Sequence, residues 1–346
     1  MWRRSLQLIA VVSAVLLCRP VARARNSVEI WFAPAPGSLD MLRLFEAEDE
    51  WPIALQRMGV FKFYQGHVLE PPAGINGPNT YQAFYAVGAF QKLTQVWHKR
   101  IAIEVGAVKE FYCTTDDSGM TTAITNTLKA IAAVQAAGGE VAYLAMDEPF
   151  LAGTSQKCGG PDPGPTVQRL ERYVKAVRGA YPTAEIGLIE PHPYFNVAQL
   201  AGFLSLMKAR GIPVAFFHVD VDLNALKGGR DDFARDMTEL ASVCKTKQIP
   251  FGIIIWGRNG DSDALYVDDA MKLVRLIKDT FGEWDQMPDH LIFQSWAESM
   301  TGLRITPTNL PESALNTHTN LIKQGLRLLR GPREIEERGG RRPYGK

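Results

Sequence analysis

Cysteine is scarce in this chain: four in 346 residues, with no spacing that reads as a zinc motif. There is no Gly-rich phosphate loop of the Rossmann or Walker kind, so no nucleotide cofactor is expected, and no other cofactor or metal motif stands in its place. Neither sign of charge dominates. Thirty-eight basic residues meet 37 acidic ones, which argues against a broad nucleic-acid surface with its clustered Lys and Arg. Long apolar runs are missing as well. The longest, Leu8 to Cys18, falls short of the roughly 20 residues that a membrane-spanning helix needs.

That short run has a different meaning. Arg3 and Arg4 precede it, and Ala22-Arg23-Ala24 follows with the small-x-small pattern of a cleavage site. Residues 1–24 are therefore expected to be an export signal, with the mature chain starting near Arg25 and residing in a secreted or periplasmic space. No membrane partner is expected after cleavage. Removing residues 1–24 takes away four arginines and no acids, leaving 34 basic against 37 acidic residues, a net charge of −3. The sequence does not set an oligomeric state.

Over the rest of the chain one pattern repeats eight times. An apolar run rich in β-branched and aromatic residues leads into a loop and then a longer amphipathic stretch. The runs are Val28–Ala33, Gly59–Tyr64, Arg100–Gly106, Glu140–Asp147, Ala184–Glu190, Pro213–Asp220, Pro250–Trp256 and His290–Trp296. Segments between them have helical composition and clear stops. Ala123–Ala137 is rich in strong helix formers and ends at Gly138-Gly139, and Val167–Tyr181 is followed by Pro182. Near-continuous apolar strands between helices indicate a parallel sheet buried on both faces. Eight such units predict one closed (β/α)₈ barrel over residues 25–330, followed by a polar Gly/Pro-rich tail over residues 331–346.

Active sites of such barrels lie at the C-terminal ends of the strands. Those ends are polar and aromatic here. Strand two ends in Tyr64, strand three contains Glu104, and strand four ends Asp147-Glu148-Pro149. Strand five ends Glu190-Pro191-His192, strand six His218-Val219-Asp220, strand seven Trp256-Gly257-Arg258-Asn259 and strand eight Gln294-Ser295-Trp296, with Glu298 just beyond. Side chains two apart share a face, and a charged face turned toward packed helices is costly. That test turns Glu104, Asp147, Glu190, His218, Asp220, Gln294 and Trp296 toward the barrel axis, with Glu148 reaching in from the rim. Glu104 has the alternative of pairing with a buried base, and Glu190 that of capping a loop. Asp222 reads better as a helix cap or turn residue, and His67 and His318 as surface or loop histidines.

A ring of acids interleaved with flat rings suits glycosidic bond cleavage. One carboxyl gives a proton to the leaving oxygen while another acts as nucleophile or base. Aromatic faces stack on sugar rings, and amides and acids bind hydroxyls. At these residues the chain resembles clan A glycoside hydrolases. Asp147-Glu148-Pro149 resembles the Asn-Glu-Pro that carries their acid/base, and Gln294-Ser295-Trp296 resembles their strand-eight end, where a tryptophan floors the sugar pocket. The resemblance implies that Glu148 is the general acid and Trp296 a platform. The chain departs from that clan at strand seven, where Trp256-Gly257-Arg258-Asn259 stands in place of the nucleophilic glutamate.

The second carboxylate is then expected from Glu190 or Asp220, with Glu298 behind them and Asp147 tuning Glu148. Tyr64, Glu104, His192, His218, Trp256, Asn259, Gln294, Trp296 and Glu298 are the candidates for binding a carbohydrate. Two other readings stay open. Glu104, Glu190, His192, His218 and Asp220 could hold a divalent ion, as in barrel isomerases and phosphodiesterases, or the barrel could bind glycan without cutting it. Cys113 and Cys158 fall in the loops after strands three and four, which are neighbours in a barrel, so a bridge between them is expected in an oxidising compartment.

Overall fold

The computed structural model describes residues 28–69, 77–296 and 306–331. The expected leader over residues 1–24, residue Glu298 and the tail beyond Gly331 lie outside the described residues.

Eight strands form the centre: Glu29–Ala33 (β1), Met58–Tyr64 (β2), Arg100–Val105 (β3), Val141–Asp147 (β4), Glu185–His192 (β5), Phe217–Val221 (β6), Phe251–Ile255 (β7) and His290–Gln294 (β8). Each pairs in parallel with the next, and β8 closes on β1, giving the predicted (β/α)₈ barrel. Closure leaves no sheet edge open to solvent. The strand ends differ from the sequence reading by a few residues. β6 starts at Phe217 rather than Pro213, although Ala215 and Phe216 already bond to Ile186 and Leu188 of β5 ahead of it. β5 runs on to His192, whose carbonyl accepts the Asp222 N–H at 2.9 Å.

Long helices cover the barrel, among them Ser118–Ala136, Pro163–Ala180, Val197–Ala209, Gly229–Lys247, Asp263–Phe281 and His318–Arg330. Their starts are set by local chemistry. Asn196 and Gln199 form a reciprocal capping box, and the Ser262 and Thr317 hydroxyls accept the N–H groups of Leu265 and Asn320. Apolar faces of these helices meet the outward side chains of the strands in one continuous buried layer. His318 belongs to that layer rather than to the surface. It is fully buried at the first turn of its helix, edge-on to Phe32 at 4.9 Å.

The barrel interior has its own core. Trp31, Val60, Ala102, Tyr143, Ala145, Ile189, Phe216, Ile254 and Ile292 pack together inside it. Trp31 lies at its heart, with ring centroids 4.9 Å from Tyr143, 5.2 Å from Phe216 and 4.8 Å from His218. These contacts plug the barrel below its C-terminal end. Because side chains alternate, they also decide which residues face the axis: Lys62 and Tyr64 from β2, Glu104 from β3, Asp147 from β4, His218 and Asp220 from β6, Trp256 just past β7, and Gln294 and Trp296 from β8 and its continuation.

Candidate active site

Above the plug, at the C-terminal ends of the strands, lies a cavity of about 320 Å³. Tyr64, Glu104, Lys109, Asp147, Glu148, Asp220, Gln294 and Trp296 line it, with Pro36, Ile189 and Ile254 as its apolar patches. Five different strands or their loops thus contribute polar side chains to one concave space at the end of the barrel where such folds carry their chemistry.

The strand-four pair is built by an unusual backbone. Asp147 ends β4 and faces the axis. Glu148 follows in the left-handed region (φ 47°, ψ 48°), which non-glycine residues adopt at a cost of about 1–2 kcal/mol. Its N–H is held by the Ile189 carbonyl at 3.0 Å, and Pro149 starts a short helix over Pro149–Gly153. The turn brings two successive carboxyl groups to one cavity, which the ordinary alternation of a strand would forbid. Lys109, from the loop after β3, reaches both: its Nζ is 3.0 Å from Asp147 Oδ2 and 3.1 Å from Glu148 Oε2. Burial raises the Glu148 carboxyl above the usual range, while Lys109 pulls it down and Asp147 adds to the rise.

Glu104 lies deeper, buried at the cavity floor. Lys62, with no exposed surface, donates to both Glu104 Oε2 and Gln294 Oε1, and the Gln294 amide donates to Glu104 at 3.1 Å. The alternative of a buried base is therefore the arrangement found. Burial raises the Glu104 carboxyl and Lys62 opposes the rise. Across the cavity, Asp220 on β6 is pushed well above the carboxylate range by burial, and the charges of Glu148 and Asp147 push it further. The Trp256 indole N–H lies beside it without an aligned hydrogen bond, and Asp220 Oδ1 is buried without a donor.

Flat rings complete the wall. Trp296 lines the cavity, while Trp256, expected there too, lies outside the lining and backs Trp296 with centroids 5.0 Å apart and planes at 34°. The Tyr64 hydroxyl donates to the Ser295 carbonyl at 2.9 Å, tying β2 to the start of the loop after β8. His67, expected at the surface, is instead fully buried behind Tyr64. Its Nδ1 accepts the Tyr64 N–H at 3.3 Å and its Nε2 donates to the Pro36 carbonyl at 3.0 Å, and burial lowers its pKa to about 4. A neutral imidazole thus braces one side of the cavity.

Several expected residues stand elsewhere. Glu190 was expected to face the axis. Ile189 holds that side of β5, so Glu190 faces the helix layer, where its carboxylate accepts the N–H groups of Phe150 (2.7 Å) and Leu151 (3.3 Å). It caps the Pro149–Gly153 helix, and burial raises it well above the carboxylate range. His192 shares that outward face and meets Asp236 of the Gly229–Lys247 helix at 3.1 Å. His218 faces the axis as expected but one layer too low. It sits in the plug, 2.9 Å from His290, and burial holds it well below the ordinary histidine value. Asn259 lies outside the cavity lining and accepts the Asp261 N–H in a turn. Asp222 caps the turn after β6 by accepting the Asn224 N–H and pairs with Arg258, as a turn residue should.

Two lysines of the site, Lys62 and Lys109, were not singled out in the sequence. Lys62 had a signal: it shares the axis-facing positions of β2 with Val60 and Tyr64, between Phe61 and Phe63. Lys109 had none, being one loop lysine among many. Among the described residues, no carboxylate beyond β7 takes the place of the missing glutamate in the cavity lining. Trp256 occupies the axis face, and a Cβ on Gly257 would fall 2.0 Å from the Tyr266 carbonyl oxygen. Among the described residues no group of three or more His, Cys, Asp or Glu stands arranged to hold a metal ion.

Cys113 and Cys158 form a disulfide that joins the loops after β3 and β4, closing a separation of 45 residues. The bridge lies four residues past Lys109 and ten past Glu148, so it anchors both strands of the cavity rim. Cys113→Ser with Cys158→Ser is expected to lower the unfolding free energy by about 2–4 kcal/mol. Urea unfolding reads this effect as the free energy extrapolated to water, with a steeper slope expected for the uncrosslinked chain, and an unchanged free energy would contradict it.

No family model matches the chain, and no curated protein matches it in sequence. Solved structures do match in fold. A glucosidase from Croceicoccus marinus superposes with a TM-score of 0.52 at 14% identity, over 89% of this chain and 68% of that one. An intracellular xylanase from Thermoanaerobacterium saccharolyticum, in complex with xylotetraose, gives 0.51 at 10% identity over 81% and 90%. An endo-β-1,4-mannanase from Cellulomonas fimi gives 0.50 at 9% identity over 82% and 67%. At such identities the likeness is one of fold: this chain has the closed barrel found in those glycoside hydrolases.

Proposed function

We propose that this chain is an exported hydrolase that cleaves glycosidic bonds in an oligo- or polysaccharide, using carboxyl groups from β4 and β6. One observation carries the reading: the Asp147–Glu148 pair and Asp220 line one open-ended cavity together with Tyr64 and Trp296. Cleavage needs one carboxyl that gives a proton to the glycosidic oxygen and a second that faces the anomeric carbon, either directly or across a water. The rings offer apolar faces to a sugar, while Gln294 and Glu104 at the floor are suited to hydroxyl groups. Glu190, bonded to two backbone N–H groups, acts in this proposal as a support for the Pro149–Gly153 helix. The leader-like N-terminus and the Cys113–Cys158 bridge support export into an oxidising space.

Hydrolysis of a broad glycan panel tests the proposal. The wild type is expected to release new reducing ends from at least one glycan, and Glu148→Gln to do so about 100-fold more slowly. Equal rates would remove Glu148 from the chemistry. Retention of a glycan by the wild type with no product from any panel member would leave a binding protein.

A further inference from the structure

The two sides of the cavity differ in how their charge is met. On the β4 side a single ammonium, Lys109 Nζ, lies 3.0 Å from Asp147 and 3.1 Å from Glu148. On the β6 side, no ion pair among the described residues joins Asp220 to a cation, and its Oδ1 is buried with no donor. A cation in hydrogen-bond contact favours the ionised form of a carboxyl, whereas an unpaired carboxyl among rings and other acids keeps its proton. Lys109 is itself held in place, because the loop that carries it is bridged at Cys113 to Cys158 beyond Glu148.

We propose that Lys109 is a positioning residue that holds the Asp147–Glu148 pair as the anionic side of the cavity and leaves the proton to be delivered by Asp220. This rests on the hydrolase reading above and reverses the roles implied by the resemblance at Asp147-Glu148-Pro149. The other groups around the pair agree with it. Glu104 from β3 is already neutralised by Lys62 from β2 and bonded by Gln294 from β8. Glu190 from β5 is committed to backbone N–H groups behind Glu148. The acids Glu148, Asp147 and Glu104 approach Asp220, with His218 below it turned to His290; the Trp256 indole N–H beside it favours its ionised form and is outweighed by burial and those acids. Each of those acids favours the protonated form of Asp220, and Lys109 is not among its principal influences. Burial lifts both Glu148 and Asp220, but Lys109 opposes the rise only at Glu148.

The test is the pH dependence of kcat/KM for the wild type, Lys109→Gln and Lys109→Arg on whichever panel glycan is cleaved. Lys109 favours the charged form of Glu148, so its loss lets Glu148 keep a proton to higher pH. If the pair is the anion, the acid limb of the profile moves up by about one pH unit in Lys109→Gln. The alkaline limb, set by Asp220 losing its proton, stays in place, and Lys109→Arg restores the acid limb. Movement of the alkaline limb instead would make Glu148 the donor and overturn the assignment. Movement of neither limb would overturn the role of Lys109.

A ¹³C NMR titration of the carboxyl groups reads the same question without substrate. Asp220 is expected to titrate above Glu148 in the wild type, and Glu148 to move up in Lys109→Gln. The reverse order would refute the assignment even in an active hydrolase. The expected order in a protein that cleaves no glycan would leave the clamp standing and remove the hydrolase reading alone.

Discussion

Asp220→Asn is expected to lower kcat/KM for glycan hydrolysis by about 10³–10⁴-fold while leaving the fold at least as stable as before. The activity loss follows from removing a proton source positioned at the cavity wall, which lies in the upper part of the range for general acid catalysis. The stability half follows from linkage. Burial raises the Asp220 carboxyl well above its ordinary value, so between the unfolded and folded values the native state binds a proton that the unfolded chain has released. Stability from this group is fully present below the unfolded value and is lost as pH rises through the folded one. Asparagine has no such proton to lose. Thermal melts at neutral and mildly alkaline pH should place Asp220→Asn level with the wild type or above it. A variant that melts lower throughout would make Asp220 a structural residue and remove the basis for its role.

Lys62→Met is expected to cost about 3–5 kcal/mol, because it leaves the Glu104 carboxylate buried without its base. Lys62 has no exposed surface and bonds Glu104 and Gln294 together, so nothing in the barrel interior can replace it. The loss should depend on pH with a definite sign. Without Lys62, Glu104 is raised further by burial, so the deficit is smallest near pH 4, where the unfolded carboxyl is also protonated, and grows as pH rises. The double variant Lys62→Met with Glu104→Gln removes both charges and should recover most of the loss, because a neutral pair avoids the buried-charge penalty. Urea unfolding of the two singles and the double at pH 4 and pH 7.5 checks both claims. Equal destabilisation of the single and the double would show that shape rather than charge makes Lys62 necessary.

The barrel was legible because it is written in repetition: eight β-branched runs, each followed by a stretch with helix formers and a stop. A parallel strand buried on both faces cannot be mistaken for an amphipathic one. Strand parity was harder. The assumption that charged side chains turn away from the helices suits Asp220, which faces the axis. It misleads at Glu190, because a carboxylate turned outward can be satisfied by backbone N–H groups at a helix start, a partner that pattern alone does not reveal. His192 turns outward for the same kind of reason, meeting Asp236. The placement of His218 is a matter of depth: facing the axis does not distinguish the plug from the cavity above it. Lys109 depended on where one loop folds back, which neither spacing nor periodicity encodes. The cysteine pairing was accessible because it needed only the adjacency of two loops.

The plug of Trp31, Tyr143, Phe216 and the His218–His290 pair gives the barrel the geometry of a cup with a sealed base. Whatever enters the mouth above Glu104 has no way through to the opposite end. In the proposed hydrolase, substrate would have to arrive and product to leave on the same side of the barrel. For the proposed hydrolase, product departure past the loops on that side, among them the pair joined by Cys113 and Cys158, is expected to help set the pace of the cycle.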